Sequence, residues 1–271
     1  MQSIRPPAVA GAFYSGHAAM LSGHLQALLS AVVPASGVDD AVPKALIVPH
    51  AGYVYSGSTA ALAYARLAPL RKIIRSVVLL GPVHRVPVRG LALPGVDGFA
   101  TPLGQIDLDQ AAIARLKGLT QVVVSPAAHA LEHSLEVQLP FLQAVLEDFK
   151  LVPLAVGDAT PAEVAEVLEA LWGGPETLIV VSSDLSHFLP YNTAQRVDQG
   201  TVQRIMRLSS SITHEQACGG TPVNGLLMAA RHHHLQPQLL GHCNSGDTAG
   251  DKDRVVGYAA FAFVQEPTHV H

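Results

Sequence analysis

Three uninterrupted aliphatic runs, each cut off by a breaker or a polar group, constrain this chain more than any other feature. Ala45-Leu46-Ile47-Val48 stops at Pro49-His50, and Ser76-Val77-Val78-Leu79-Leu80 stops at Gly81-Pro82-Val83-His84. Leu178-Ile179-Val180-Val181 opens onto Ser182-Ser183-Asp184-Leu185-Ser186-His187. A half-exposed strand alternates apolar and polar residues. Continuous runs therefore predict strands covered on both faces, as in a parallel sheet between helical layers. In an open α/β sheet the residues just past such strands collect at one edge, where ligands bind.

The segments between these runs predict the covering helices. Apolar spacing marks a helix from about His17 to Val33, and alanine-rich Ser58 to Leu67 follows the His50 turn as another. Val9 to Tyr14 is a short strand or docking segment, and Pro34 to Pro43 is a linker. Val88 to Leu93 and Gln121 to Val124 predict further strands, Asp97 to Gly104 a loop, and Leu108 to Lys117 a helix. Helical spacing from Leu135 to Phe149 is interrupted by Pro140, which kinks the helix or marks its true start. After a strand at Leu151 to Val156, Thr160-Pro161-Ala162-Glu163 is a capping box with proline in the first turn, predicting a helix to about Trp172. Helices over Thr193 to Leu208 and Pro222 to His234 precede Gln238 to Leu240, the polar stretch Gly241 to Thr248 and a last strand from Val255 to Val264. The expected architecture is a single α/β domain over residues 1–271, with a mostly parallel central sheet flanked by helices.

Bulk properties exclude several functions. A net charge of −4 argues against nonspecific nucleic-acid binding, which needs a basic face. No apolar run reaches the roughly 18 residues of a membrane span, and the first residues lack a signal-peptide core, so a cytoplasmic protein with no membrane role is expected. Two cysteines, Cys218 and Cys243, are too few for a disulfide framework and agree with a reducing compartment. Glycine spacing matches neither a dinucleotide fingerprint nor a phosphate loop, and Ser182 and Ser183 do not sit in a serine-hydrolase elbow.

The chain carries 14 histidines, and taken singly most are surface or packing residues. Position distinguishes a few of them. His50, His84, Asp184 with His187, and Asp247 all follow apolar strands, so the sheet would bring them together. Two imidazoles and a carboxylate form the facial set of non-haem iron(II) sites. Cys243, four residues before Asp247, is a soft-ligand alternative that would favour copper or zinc, and His242 is a comparable candidate. In Glu132-His133-Ser134-Leu135-Glu136 a histidine flanked by acids suggests a group that orients the site or binds substrate. His232-His233-His234 reads more simply as a complement to a helix dipole than as a metal tract, and Cys218 as a passive small residue.

With these residues assembled, the chain resembles the Memo family, the Memo-like component of the AmmeMemoRadiSam group. The likeness is carried by residues 9–14, Pro49-His50-Ala51-Gly52-Tyr53, Leu80-Gly81-Pro82-Val83-His84, Thr101-Pro102-Leu103, residues 132–136, 181–187 and Val256-Gly257-Tyr258-Ala259. Such proteins are similar to class III extradiol ring-cleaving dioxygenases. The resemblance implies that fold, His50 and His84 as metal ligands, and His187 as an acid/base group with Asp184 beside it. The third ligand departs from the pattern: animal Memo proteins have a cysteine where Thr248 stands here, with Asp247 adjacent and Cys243 displaced. Asp247 would restore a two-histidine, one-carboxylate set.

The resemblance thus implies iron(II), with copper or zinc as alternatives, and oxidative chemistry on an unidentified small molecule. A noncatalytic module that binds a peptide or partner protein is the competing expectation, because animal Memo proteins are associated with phosphotyrosine peptides. Microbial relatives go with radical-SAM and AMMECR-like partners.

Overall fold

The computed structural model describes residues 2–33 and 41–265. Most of the Pro34 to Pro43 linker therefore lies outside the described residues. In chain order the strands are β1 (Ile4–Arg5), β2 (Pro43–Val48), β3 (Ser76–Pro82), β4 (Leu91–Leu93), β5 (Gly98–Thr101), β6 (Gly104–Asp107), β7 (Val122–Val124), β8 (Lys150–Val156), β9 (Thr177–Ser182), β10 (His187–Leu189), β11 (Leu235–Asn244) and β12 (Val255–Gln265). The α-helices are α1 (Ala18–Ser30), α2 (Tyr53–Tyr64), α3 (Gln110–Ala114), α4 (Pro126–Ala130), α5 (Leu139–Val145), α6 (Pro161–Leu171), α7 (Tyr191–Met206) and α8 (Gly220–His232). The large sheet runs β10-β12-β2-β9-β3-β8-β4-β7, with β11 also on β12, and β1, β5 and β6 form a small second sheet.

The three aliphatic runs are the middle of the large sheet. β2, β9, β3 and β8 are mutually parallel, with Val48 opposite Ser182, Leu80 opposite Val181 and Pro82 opposite Val156. Their side chains alternate between two separate cores, which is why no polar position interrupts them. Leu46, Val48, Val77, Leu79 and Val180 pack with α1, α2 and α5, whereas Ala45, Ile47, Val78, Leu80 and Val181 pack with α6, α7 and α8. The flanks are antiparallel: β12 on β2, β11 on β12, and β4 on β8. The sheet is thus parallel at its centre and mixed overall.

Local rules account for most helix boundaries. The Thr160 capping box is present, with Glu163 N–H donating to Thr160 Oγ1 at 3.2 Å and Thr160 N–H donating to Glu163 Oε2 at 2.8 Å. Pro140 lies in the first turn of α5, so it starts that helix rather than kinking it. Two expectations are corrected. Asp97 to Gly104 is not a loop but contains β5 and leads into β6, a hairpin whose glycines obscure the alternation that sends Phe99 and Ile106 into the core. Gly241 to Asn244 continues β11, pairing Cys243 with Tyr258 of β12 across a register shift, so this stretch is strand where a strand-end loop was expected.

Residues 9–14 serve as a docking segment. Glu136, fully buried, accepts from Ala8 N–H at 2.7 Å, Val9 N–H at 2.9 Å, Tyr14 Oη at 2.6 Å and Arg5 Nη1 at 2.7 Å. Arg5, itself buried, also donates to the carbonyls of His129 and Glu132 at 2.7 and 2.6 Å. Removing one partner of a buried ion pair leaves the other charge uncompensated. Arg5→Met is accordingly expected to destabilise the fold by about 3–5 kcal/mol in urea denaturation, and a loss below about 1 kcal/mol would show that Arg5 does not anchor this segment.

Candidate metal centre

The parallel strands deliver their polar ends to one edge. His50 follows β2, His84 follows β3, and Asp184 and His187 follow β9. A fourth group reaches the same edge from outside the sheet, the turn that carries Glu132 and His133. It approaches the end of β3 closely, because Ser134 Oγ donates to the Pro82 carbonyl at 2.8 Å. Glycine is required at 81, since a Cβ there would stand 2.8 Å from Ser134 Oγ and 3.0 Å from Leu135.

Three histidines meet at this edge. The ligand-capable nitrogens of His50, His84 and His133 all lie within 4.8 Å of one another, and the ring centroids are separated by 5.3, 5.4 and 4.7 Å. Their hydrogen bonds fix how each ring presents itself. Ser182 has one hydroxyl proton and donates it to the Ser134 carbonyl at 2.7 Å, while Gln138 Nε2 donates to Ser182 Oγ at 2.8 Å. His50 Nδ1, 2.8 Å from Ser182 Oγ, must then be the donor, which leaves Nε2 as the acceptor nitrogen, with the Cys218 Sγ 3.4 Å away. His84 is held the same way: its Nδ1 stands 2.9 Å from Glu132 Oε1 and its backbone N–H donates to Oε2 at 2.6 Å. His133 Nδ1 is 3.3 Å from the same carboxylate. A carboxylate behind an imidazole is the usual device for orienting a metal-binding histidine.

Charge in this cluster is unevenly distributed. Burial pushes His50 well below the usual histidine range, with His84 and His133 adding repulsion. Burial likewise lowers His133 to about 4, against the pull of Glu132. Burial alone would raise the Glu132 carboxyl, but bonds from the His84 ring and from backbone N–H groups outweigh it and hold the group at about 2. A fixed carboxylate thus stands among rings of which His50 and His133 are held neutral by burial. Asp184 has a different task, its Oδ1 accepting the His50 N–H at 2.7 Å and so pinning the turn after β2. Burial raises the Asp184 carboxyl to about 7.

His187 borders a cleft of about 1200 Å³ together with His84, Arg85, His214 and Cys218. Its Nδ1 lies 2.9 Å from the Leu185 carbonyl, an acceptor only, so Nδ1 carries the proton and Nε2 is the basic atom. The next residue, Phe188, has φ 59°, a left-handed conformation unusual for a bulky side chain. Its ring is exposed, with the Arg254 guanidinium 5.0 Å from the centroid. Strained backbone of this kind concentrates at functional sites.

The remaining candidates separate into those present and those absent. The structure brings together His50, His84, His133, Asp184 and His187, but not Asp247. Two antiparallel pairings return β11 to the direction of β2, so Asp247 emerges at the same end of the sheet, yet it is exposed and engaged elsewhere. Its carboxylate accepts from Tyr191 Oη at 2.5 Å and from Asn244 N–H at 3.0 Å, closing a capping turn. Thr248 Oγ1 donates to the Ser245 carbonyl at 3.2 Å, and Cys243 Sγ lies 3.1 Å from Thr59 Oγ1. The cysteine that reaches the cluster is Cys218, expected to be passive: its Sγ is 3.4 Å from His50 Nε2. Burial and the nearby Asp184 push its thiol up to about 12.

Comparisons with known proteins bear on the family of the chain. A family model described as Memo-like protein matches residues 5–262. A MEMO1 family protein of Ignicoccus hospitalis is 36% identical, the match covering 96% of this chain and 98% of the relative. MEMO1 family proteins of Aquifex aeolicus and Metallosphaera sedula are 35% and 34% identical, each over 96% of this chain and 99% of their own length. Among solved structures, an uncharacterized protein from Escherichia coli K12 superposes with a TM-score of 0.48 at 15% identity, covering 80% of this chain and 98% of that one. That likeness is too distant to define fold or chemistry. No helix among the described residues is long and apolar enough to cross a membrane.

The hydrogen-bonded carboxylate has a pH signature. Glu132 sits at about 2 when folded, against about 4.3 for an unperturbed glutamate. Between those values the unfolded chain binds more protons, so the stability Glu132 contributes is complete above the upper value and lost as pH falls toward the lower one. The gap in urea midpoint between the metal-free protein and its Glu132→Gln variant should therefore be wide at neutral pH and narrow as pH drops from about 5 to 3. A gap that stays constant over that range would refute the assignment.

Proposed function

Because this chain belongs to the Memo family, we propose that it holds a divalent metal among His50, His84 and His133 and carries out iron-dependent oxidation of a small molecule in the manner of a dioxygenase. The observation that supports the reading is the convergence of three imidazole nitrogens within 4.8 Å at the strand-end edge. His50 and His84 also have Nδ1 committed to an acceptor, so a nitrogen lone pair on each is left for an ion. Three neutral nitrogen donors suit iron, zinc, copper or nickel, and three protein ligands leave positions open for a substrate. Iron(II) held there would supply dioxygen chemistry.

The chain's own residues have separate tasks in this reading. Glu132 and Ser182 set the orientation of the ligand rings, and Asp184 fixes the turn that carries His50. His187 exchanges a proton at Nε2, the atom its Leu185 bond leaves free, with a molecule in the adjoining cleft. Val83, Val86, Pro87 and Val156 give that cleft an apolar wall that sheds water. Its volume, about 1200 Å³, exceeds the usual small-molecule pocket of roughly 300–1,000 Å³. This size favours a second reading, a metal-containing module that binds a peptide segment without transforming it.

Metal analysis of protein purified without oxygen tests the first claim. The wild type should carry a near-stoichiometric ion, and His50→Ala/His84→Ala and His133→Ala should each lose it, with affinity down at least about tenfold. Asp247→Ala should retain it. Equal metal in wild type and the double variant would overturn the site. Oxygen uptake by the iron-loaded protein with catechols and other small aromatics then separates the readings: uptake abolished in His187→Ala supports catalysis, and absence of uptake with every compound moves the protein to the binding module.

A further inference from the structure

A second group of metal-capable side chains lies away from the strand-end edge, and sequence reasoning had assigned its histidines to a helix dipole. The ligand atoms of Glu169, His232 and His233 all lie within 4.8 Å of one another. Two helix ends build the group. Glu169 is in the last turn of α6, His232 is the last residue of α8, and His233 caps α8. The two helices share one core, in which Val164, Val167 and Leu168 of α6 pack with Val223, Leu226 and Leu227 of α8. His234, with φ 54°, turns the chain out of α8 into β11 and leaves His232 and His233 at the helix end.

The geometry is that of a chelating set. His233 Nε2 stands 2.8 Å from Glu169 Oε2, and the His232 ring lies 5.0 Å from the His233 ring at 78°. Two ligands at ordinary metal distances on one ion stand about 3 Å apart, so the imidazole and carboxylate already have that spacing. The His233 ring is fixed from behind by the Trp172 indole, stacked at 3.7 Å and 7°. Glu169 and His232 are exposed, so an ion can enter and water can complete its coordination.

A helix dipole accounts for the histidines but not for the glutamate. The C-terminal end of a helix carries partial negative charge and disfavours a carboxylate. Glu169 sits at the ends of both α6 and α8, where His233 Nε2 at 2.8 Å partners its carboxylate and the Lys44 ammonium already takes the Trp172 carbonyl. A bound dication would therefore replace the proton between His233 and Glu169. We propose that Glu169, His232 and His233 form a surface site for a borderline transition-metal dication, namely zinc, nickel or copper(II). Imidazole donors select against magnesium and calcium, which require oxygen. The site shares no ligand with His50, His84 or His133 and does not depend on the function proposed for them.

Trp172 is the chain's single tryptophan and supplies a local reporter. Copper(II) should be titrated into the His50→Ala/His84→Ala protein while indole fluorescence is followed. Saturable quenching is expected, reversed by excess zinc and not produced by magnesium. His232→Ala and Glu169→Gln keep the Trp172–His233 stack and should each weaken the quenching affinity by about tenfold or more, while His234→Ala should leave it unchanged. Quenching that rises linearly without saturation, or an affinity unaltered in His232→Ala, would mean an adventitious ion only and would overturn the site.

Discussion

The carboxylate of Glu132 is the single group on which the strand-end centre depends. One buried side chain accepts from the ring and the backbone of His84 and from the backbone N–H groups of His133 and Ser134. A ligand candidate at the end of a sheet strand and another in a separate turn are thereby referred to one origin. Burying a charge is costly, and the fold offsets that cost by surrounding the anion with N–H donors. Arg5 works one step further out. It holds the Glu132 carbonyl and, through Glu136, the docking segment that closes over the turn, so the position of Glu132 is set by residues more than a hundred positions away in sequence.

A similar economy governs His50. Ser182 belongs to β9, Gln138 precedes α5, and Ser134 sits in the Glu132 turn, yet all three meet at one hydroxyl oxygen that dictates the His50 tautomer. A serine has one proton to give. Once the Ser134 carbonyl takes it, the imidazole has only one consistent arrangement, with Nε2 as the acceptor nitrogen beside the Cys218 thiol. Organisation of this kind leaves little to be rearranged when a ligand arrives, which is the condition for a precise site.

What was legible in the sequence follows from what determines each position. His50, His84, Asp184 and His187 could be found because membership of the edge requires only that a buried strand end there, and aliphatic runs announce buried strands. The hairpin of β5 and β6 was missed because glycine and threonine carry too little apolar signal to betray Phe99 and Ile106. His133 was recognised as a polar group near the site but not as a member of the ring cluster, since its turn is placed by long-range contacts with Arg5 and the end of β3 rather than by any periodicity. Cys218 gave no signal at all. It reaches His50 because the following Gly219 lets its loop press on β9, where a Cβ would stand 2.7 Å from Ser183 Cβ.

The identity of the third donor decides what the proposed centre can favour. A carboxylate at that place would make a mixed nitrogen–oxygen face with a net negative charge, the set that most distinguishes iron(II) from zinc or copper. With Asp247 bound to Tyr191 and Asn244, the nearest carboxylate to the rings is Glu132, and it stands behind His84 and His133 rather than beside them. Its charge still acts on an ion, but through the imidazoles, by increasing their basicity as donors. An all-nitrogen face backed by one anion binds the late transition metals without strong preference between them. Selection of iron would then rest on supply and on the cleft, whose open side is shared by His187 and the Cys218 thiol 3.4 Å from His50 Nε2. That sulfur, which no strand-end rule picks out, would be a soft ligand only as its thiolate, and burial keeps it a thiol.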